Sequence, residues 1–553
     1  LLNPTQWQFP AGTLLGQDSY LLVWADEDIL DSPGLHANFK LSAGGEEIAL
    51  FSTNGTTLLD SIAFGSQTED TSYGRFPNGD GPWYFMDDPS PNSENTTAQS
   101  EEVYFSRLGG IMTGSFVLKL STKSNTGSIR YSTDGSEPTA SSTLYNDANG
   151  ISINNSQSRR IRARAFQSSL APGPVRTEAY LAVSPALAAF DSNVPILVID
   201  TFGDSIPGTA ETWLQDVYAT AIDTNGVTGR AALTDQPDFA GRAGMRVRGA
   251  STSELEKKPY KFETWNEEDG DMKVSLLGFP SESDWVLNSS HTDKTFMRNV
   301  LVYQWSNDMG RYSTRTKFIE VFKNEDGGQI GGLDSSDYVG IYVLMEQIKQ
   351  GKDRVDIEEL RPADTDITGG YIIKHDRLDE EYFGTWAGNF LYVEPSATDI
   401  TPPQKNYIKS YIEEFEGVLQ GGSFADPVNG YAKYIDAESF IDHDFCSEIT
   451  KDVDSYWLST FVTKDRGGKL VMAPEWDYNF SMGNNYYVGF GGGSVTTHLT
   501  SGWHRNGWGM TEYNWHSRLM EDNEYLLKYA DRWFDLRETV LSDATIAQSI
   551  DTH

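Results

Sequence analysis

Two acidic stretches near the C-terminal end of the chain combine residue types that can handle a metal ion and a phosphate. Residues 452–456 read DVDSY, and residues 474–480 read PEWDYNF. The first stretch follows a run with helical periodicity, and the second closes a short predicted strand, 469–473. A helix end and a hairpin end can bring the carboxylates of Asp454 and Asp477 to one place. One carboxylate could then orient a hydroxyl nucleophile while the other holds a divalent metal that neutralises phosphates. The alternative is that both are solvated loop residues.

Two upstream segments contain groups that could meet a nucleotide. Residues 248–252 read RGAST, a turn that could place backbone N–H groups, Arg248 and the Ser251 hydroxyl over phosphates. A plain hairpin turn has the same appearance. Arg298 and Asn299 project from a predicted helix that begins after an Asp-Lys-Thr sequence. They could orient a phosphate or a neighbouring ion pair, or they could belong to a structural cap network.

A lysine and a buried glutamate form a second candidate pair. Lys257 and Lys258 begin a predicted strand, where side chains alternate between faces, so only one of them can enter a cleft. Lys258 is the predicted phosphate-binding ammonium, with Lys261 on the other face. A solvated edge lysine is the alternative. Glu346 falls inside the apolar run 342–348, and a carboxylate buried there needs a partner because an unpaired charge is costly.

The elements that must position these residues occupy only the last part of the chain. With 553 residues the chain is too long for one core, and typical domain sizes indicate about three or four units. Residues 1–100 and 105–184 alternate apolar and polar positions in short runs broken by turn residues, which predicts two all-β sandwich modules. From about residue 190 to 553, strands mix with amphipathic helices. The predicted helices cover 296–305, 407–419, 515–526 and 529–540. The expected fold class is therefore multidomain, with two all-β sandwiches followed by an α+β domain.

The composition excludes some partners. The formal net charge is −37, a surface that repels nucleic-acid phosphates and anionic lipids and suits a salty exterior or divalent cations. No run approaches the roughly 20 apolar residues that span a bilayer. The single cysteine, Cys446, lies in a helical pattern and is expected to be a small buried hydrophobe. The chain opens at Leu1 without Met, so we expect the true N-terminus, with any signal peptide, to lie outside this sequence.

The two β modules resemble known families. Residues 71–79, TSYGRFPNG, followed by Trp83, are similar to a bacterial lamin-tail-type domain, a surface-borne interaction module without catalytic residues. Residues 131–139, YSTDGSEPT, and 160–166, RIRARAF, resemble a chitobiase/hexosaminidase C-terminal-type module, a fibronectin-like sandwich of exported bacterial proteins. This second resemblance implies a spacer, and paired glycosidase carboxylates cannot be identified in it.

The third part of the chain resembles the CotH (spore coat protein H) kinase family, an atypical group with a protein-kinase-like core. The similarity runs from about residue 194 to beyond residue 537 and depends on several strings in the right order. These are RVRGAST at 246–252, KKPYKF at 257–262, DKTFMRN at 293–299, GIYVLMEQI at 340–348, KDRV at 352–355, GGYIIK at 369–374, and the two acidic stretches.

The resemblance implies residue roles. Asp454 would accept or align the proton of the substrate hydroxyl, and Asp477 would bridge Mg²⁺ to the phosphates of ATP, with Asn479 as a second ligand. The Lys258–Glu346 pair would repeat the Lys–Glu arrangement of protein kinases. One departure matters, because protein kinases carry a metal-binding Asn shortly after the catalytic Asp, and residues 456–459 here read YWLS. Asp452 could compensate.

The sequence therefore predicts a bacterial protein, exported to the exterior or the cell surface, that transfers phosphate from Mg-ATP to a Ser/Thr-type hydroxyl of a protein or surface polymer. The rival hypothesis is a non-catalytic adhesion or assembly protein with a degenerate kinase fold, attached or self-assembled through its β modules. A third, weaker option is a carbohydrate-binding accessory protein. Asp- and Gly-rich turns at 326–328 and 364–366 could hold Ca²⁺, although neither matches an EF-hand loop.

Overall fold

The structure is a computed structural model. It describes residues 5–17, 19–27, 33–67, 71–76, 78–79, 81–86, 88–95, 98–250, 252–378, 381–484, 501–504 and 515–553. The chain divides into two compact units, Leu1–Val183 and Ser184–His553. No helix within the described ranges has both the length and the apolar character needed to cross a membrane.

The described part of the first unit contains only β-strands, which confirms the all-β prediction for this part of the chain. The strands are β1 (Val23–Ala25), β2 (Leu35–Ala37), β3 (Glu46–Phe51), β4 (Leu58–Phe64), β5 (Ser72–Arg75), β6 (Trp83–Met86), β7 (Tyr104–Phe105), β8 (Gly110–Met112), β9 (Phe116–Leu118), β10 (Leu120–Ser121), β11 (Ser128–Ser132), β12 (Thr143–Leu144), β13 (Ile151–Ile153), β14 (Arg159–Phe166) and β15 (Arg176–Ala182). The first six form three two-stranded pairs, β1–β2, β3–β4 and β5–β6.

The rest of the first unit is built on a five-stranded sheet in the order β12-β11-β14-β15-β8, accompanied by the pairs β13–β9 and β10–β7. Alternate residues of β14 (Ile161, Ala163 and Ala165) face the core, as the two-residue period of a strand requires. They meet Leu118 and Ile153 from the pair β9–β13. This module thus buries one side of each sheet against the other.

The second unit contains a closed barrel and a second, five-stranded sheet. Its strands are β16 (Asp191–Ser192), β17 (Ile196–Asp200), β18 (Gln215–Ile222), β19 (Ala231–Ala232), β20 (Phe239–Val247), β21 (Tyr260–Thr264), β22 (Asp284–Asn288), β23 (Thr316–Asn324), β24 (Tyr338–Glu346), β25 (Tyr371–His375), β26 (Tyr382–Thr385), β27 (Gly388–Glu394), β28 (Thr460–Lys464) and β29 (Leu470–Met472). Seven of them close the barrel in the order β17-β18-β20-β21-β22-β24-β23, and five form a second sheet in the order β26-β27-β25-β28-β29.

Helices surround the second sheet and complete the α+β domain, which confirms the predicted fold class. They are α1 (Arg298–Asp308), α2 (Pro402–Gln420), α3 (Ala437–Thr450), α4 (Trp515–Leu519), α5 (Asn523–Glu538) and α6 (Asp543–Thr552). Helix α2 begins with a capping box formed by Thr401 and Gln404 and buries Ile408, Ile412 and Phe415 along one face. The Asp436 side chain caps α3 by accepting two backbone N–H bonds.

The barrel strands have two different faces, and this difference decides which side chains can meet. Tyr260 and Phe262 of β21 point into the barrel core. Val286 of β22 and Met345 of β24 point the other way, into the larger core that includes α1 and the C-terminal helices. Side chains that point in the same direction as Val286 therefore lie between the barrel and the helical part of the unit. A residue that lines a cleft between these two parts has to point in this direction.

Candidate active site

The first acidic stretch lies just beyond the end of α3. Lys451, in a left-handed conformation (φ 56°, ψ 43°), turns the chain out of the helix. Asp452 is only 2% exposed. One of its carboxylate oxygens accepts bonds from the Asp454 N–H (3.2 Å) and the Ser455 hydroxyl (3.0 Å). The predicted helix end thus brings the buried Asp452 and the half-buried Asp454 close together.

The second acidic stretch follows β29 and places Asp477 in a left-handed conformation, with φ 68° and ψ 45°. Such a conformation is strained for a residue with a side chain. The Asp477 N–H donates to the Tyr303 hydroxyl of α1 at 2.9 Å. The Tyr303 ring stacks on Trp476, with centroids 6.0 Å apart and planes at 12°. The Ser459 side chain hydrogen-bonds to the carboxylate. Helix α1 therefore fixes the backbone of Asp477.

The two acidic stretches meet other charged residues that come from the barrel and the second sheet. Asp376 and Arg377 directly follow β25, and both lie within electrostatic range of Asp454 and Asp477. Arg248 directly follows β20, and its guanidinium lies 5.4 Å from the centroid of the Trp476 ring. Its positive charge opposes the pKa shift of Asp477. The four aspartates Asp376, Asp452, Asp454 and Asp477 are called the carboxylate cluster below.

Burial and mutual repulsion raise the carboxyl pKa values of Asp452, Asp454 and Asp477. Burial, followed by the charge of Asp477, raises the pKa of Asp454 to about 7, and Arg377 opposes this shift. Burial, followed by the charges of Asp454 and Asp477, raises the pKa of Asp452 well above its usual range. Burial and then Asp376 raise the pKa of Asp477. A nearby divalent cation would offset this repulsion.

Two oxygens in this region fit a metal ion because they lack protein donors. Oδ1 of Asp452 and Oδ1 of Asn479 are buried and have no hydrogen-bond partner among the described residues. The amide nitrogen of Asn479 donates to the Thr292 hydroxyl at 3.1 Å, which leaves its oxygen available. Within the described ranges no group of three or more His, Cys, Asp or Glu side chains could hold a metal ion. Mg²⁺ is typically bound by one or two carboxylates, with water and substrate phosphates completing its shell, so this donor set suits it.

Of the two predicted nucleotide contacts on α1, Arg298 is engaged with the protein itself. Arg298 forms an ion pair with Asp293, whose other carboxylate oxygen accepts the Arg298 N–H at 3.0 Å. The Arg298 Nε also donates to the Ser481 carbonyl at 2.9 Å. These bonds agree with the alternative in which Arg298 belongs to a structural cap network. They also link α1 to the segment after Asn479. Asn299 is buried, and its side-chain oxygen has no partner in the described ranges. Ser251 lies outside the described residues.

The expected Lys258–Glu346 ion pair is wrong. Lys258 Nζ donates to the Ser253 carbonyl at 2.6 Å. Glu346, at 0% exposure, pairs instead with Arg315, whose Nη2 lies 2.7 Å from its carboxylate. The sheet register gives the reason, because Glu346 pairs with Trp285, which pairs in turn with Phe262. Phe262 is four positions beyond Lys258, roughly 13 Å along a strand at about 3.3 Å per residue. A lysine side chain cannot bridge that separation.

The Arg315–Glu346 pair gives a stability prediction. Replacing Arg315 by Met will lower the free energy of unfolding by about 3 kcal/mol, because it leaves a buried carboxylate with its main partner removed. The Tyr312 hydroxyl (3.1 Å) and Arg354 (3.8 Å) remain near Glu346 and limit the loss. Urea unfolding followed by tryptophan fluorescence measures the shift. Arg361→Met, which removes an exposed ion pair, is the control and will change stability little. Equal midpoints for the two variants would refute the account.

Several residues of this site were missed by sequence reasoning. Asp376 and Arg377 follow the string at 369–374 after one intervening residue, His375, and their place at the carboxyl end of a predicted strand was the available signal. Ser459 and Tyr303 had no such signal, because their partner Asp477 is distant in sequence. Asp452, Asp454, Asp477, Asn479 and Arg248 were all named as candidates from the sequence, and the structure brings them into one region.

Comparison with known families assigns this second unit. The family profile described as CotH kinase protein matches residues 245–553, and the one described as chitobiase/beta-hexosaminidase C-terminal domain matches residues 108–177. The chain matches no curated protein. The first match indicates an atypical kinase, a class of phosphotransferase. Since that match covers more than half of the chain, the protein belongs to the CotH kinase family.

Proposed function

We propose that the protein transfers the γ-phosphate of Mg-ATP to a Ser/Thr-type hydroxyl of a protein or surface polymer. The observation that carries this proposal is the carboxylate cluster, which joins Asp454 and Asp477 inside the region that matches the kinase family. Arg248 next to Trp476 supplies the positive charge that a nucleotide phosphate would need. Membership in the family supports phosphotransfer in general, and the acceptor and the metal are our inference.

Each residue of the site has a role in this proposal. Asp477 and Asn479 would hold Mg²⁺, and the Asp452 oxygen that lacks a hydrogen-bond partner among the described residues would be available as a further ligand. Mg²⁺ supplies neutralisation of charge at the phosphate oxygens when bound. Arg248 contacts the phosphates. Burial and the charge of Asp477 raise the pKa of Asp454 to about 7, and a group with such a pKa suits general-base catalysis at neutral pH.

The reaction is a direct transfer in which atoms and charge balance. The acceptor oxygen forms a bond to the γ-phosphorus, and the bond from that phosphorus to the β–γ bridging oxygen breaks. The hydroxyl proton passes to the Asp454 carboxylate, and ADP leaves with the bridging oxygen. Because little covalent chemistry is required of the protein, its contribution is to position the hydroxyl and the phosphates and to stabilise their charge.

The β modules and the net charge of the chain support a role outside the cell. We propose that the protein is exported to the exterior or the surface, and that residues 1–100 form a lamin-tail-like interaction module. The module at 105–184 then serves as a spacer or attachment site. The net charge of −37 disfavours nucleic-acid partners. The turns considered for Ca²⁺ already use their carboxylates internally, since Asp326 accepts from Gly328 and Asp366 from Thr368.

Incubation of the full chain with ATP labelled at the γ-phosphorus tests the proposed function. We expect Mg²⁺-dependent transfer of label to the chain itself or to a panel of Ser- and Thr-containing peptides, and no transfer after Mg²⁺ is chelated. Absence of any transfer together with absence of ATP binding would favour the adhesion or assembly role, for which the missing Asn after Asp454 is the main argument. Sugar binding confined to residues 105–184 would favour the accessory-protein role.

A tyrosine on α1 provides a test of how the metal site is positioned. In Tyr303→Phe the buried Asp477 N–H loses its acceptor, which costs about 1–3 kcal/mol, while the aromatic stack on Trp476 remains. We expect the Mg²⁺ concentration for half-maximal ATP binding to rise about tenfold. Tyr411→Phe removes a hydroxyl that donates to the Tyr434 carbonyl and is the matched control. An unchanged Mg²⁺ requirement in Tyr303→Phe would show that α1 does not position Asp477.

A further inference from the structure

One end of the barrel contains a cavity of about 740 Å³ that the proposed reaction does not use. Val247, Tyr260 and Tyr342, whose side chains belong to the barrel core, line it, and the two tyrosine rings lie 6.2 Å apart. Small-molecule sites commonly measure about 300–1,000 Å³, and barrel mouths are among their usual places. None of the described residues that line the cavity belongs to the carboxylate cluster.

Three lysines converge on this cavity, namely Lys257, Lys258 and Lys323. The Lys257 ammonium lies 4.5 Å from the centroid of the Tyr342 ring and donates to the Ile341 carbonyl. The Lys258 ammonium donates to the Ser253 carbonyl at 2.6 Å. Neither Lys257 nor Lys258 has a carboxylate partner in the described part of the chain. Since an ammonium group carries three N–H donors, both retain donors for a further acceptor.

The acidic residues that line the cavity do not neutralise these two lysines. Glu325 forms an ion pair with Lys323 and accepts the Ile206 N–H at 2.9 Å. Glu254 and Glu256 are exposed to solvent at the rim. His291, half-buried, is the remaining titratable side chain in the lining apart from the tyrosines. The inner part of the cavity is therefore cationic in a protein whose net charge is strongly negative.

The energetics favour an anion in this position. Burial lowers the pKa of Lys257 to about 8 and the pKa of Lys323 to about 8, because a buried ammonium without enough negative charge around it is costly. A bound anion would supply that charge and accept the unused N–H donors. The tyrosine rings offer an apolar wall beside the cationic groups.

We propose that this cavity binds a small organic phosphate, with Lys257 and Lys258 holding the phosphate group and Tyr260 and Tyr342 packing against the organic part. The site is distinct from the carboxylate cluster and does not require Mg²⁺. Lys258, which the sequence suggested for nucleotide binding, would contact this ligand on the barrel side of the sheet. Its occupancy does not depend on whether the protein is an active kinase.

Titration calorimetry of the full chain with inorganic phosphate tests this site. The buffer is free of Mg²⁺ and nucleotide, and NaCl keeps the ionic strength constant. We expect saturable binding at one site, with a dissociation constant that rises about tenfold or more in Lys258→Met, because one charge-assisted hydrogen bond is lost. Lys352→Met changes an exposed lysine outside the cavity lining and will bind like the wild type.

Further variants separate this site from the proposed kinase site. Asp477→Ala, which alters only the carboxylate cluster, will bind phosphate as the wild type does. Lys257→Met provides a second test of the cavity if Lys258→Met does not fold, as judged by its melting temperature. Absence of saturable binding in the wild type would overturn the proposal. So would wild-type affinity in both lysine variants, or loss of phosphate binding in Asp477→Ala alone.

Discussion

Replacing Asp477 by Ala will abolish Mg²⁺-dependent ATP binding, with an expected loss of more than about 100-fold in affinity. Even residues that only orient metal ligands commonly contribute 10- to 100-fold, and Asp477 is the proposed ligand itself. The change also removes one member of a set of mutually repelling, buried carboxyl groups. The folded state will therefore survive the substitution. Equilibrium dialysis of labelled ATP at high Mg²⁺ concentration measures the effect.

A second variant separates charge from backbone conformation at this position. Asp477 has a left-handed backbone, which Asn tolerates better than Ala. Asp477→Asn keeps this conformation and the size of the side chain while removing the negative charge, so it will also lose Mg-ATP binding. Asp531→Ala, at an exposed aspartate on α5, is the control and will bind normally. Normal ATP binding in Asp477→Asn would remove this residue from the metal site.

Replacing Asp454 by Ala will leave Mg-ATP binding largely intact and lower the rate of phosphate transfer by about 10²–10⁴-fold. This is the usual contribution of a positioned general base. The pKa of Asp454, raised to about 7, lies near neutral pH, so this carboxyl group can exchange a proton with the acceptor hydroxyl. Initial rates with γ-labelled ATP and calorimetric affinities on the same preparation separate the two effects.

The contrast between Asp454 and Asp477 is the informative result. Asp454→Asn preserves the shape of the side chain but cannot take up a proton, so its transfer rate will fall like that of the Ala variant. Transfer at the wild-type rate in Asp454→Asn would mean that this residue is not the base. Loss of nucleotide binding in both Asp454 variants would instead make it a metal ligand, with Asp452 and Asp477 around the same ion.

The sequence was sufficient for the fold class because the patterns that define it are local. Alternation in the first part of the chain predicted the strands of the first unit, and the apolar stripe at 407–419 lies within α2. The closure of seven strands into a barrel was not predicted, since it depends on pairing between strands far apart in sequence, such as β17 with β23. The apolar periodicity of a strand indicates which of its faces is buried, but it does not indicate which strands pair with it.

The same limit explains which parts of the site were found. Asp454, Asp477 and Asn479 lie in strings that a family resemblance could identify one by one. The partner of Glu346 was assigned by analogy with protein kinases. The register places Lys258 roughly 13 Å away along the strand. Arg315 forms the ion pair with Glu346 instead. The contact of Tyr303 with Asp477 joins residues from distant parts of the chain and has no sequence signature.

Calorimetric titration of the wild-type chain with ATP, in the presence and absence of Mg²⁺, tests the central claim most directly. The carboxylate cluster should admit the nucleotide only with a divalent cation, because ATP and the ionised carboxyl groups of the cluster otherwise repel each other. The account predicts one binding site that appears with Mg²⁺ and disappears when the ion is chelated. Absence of ATP binding under both conditions, or equal affinity in both, would contradict it.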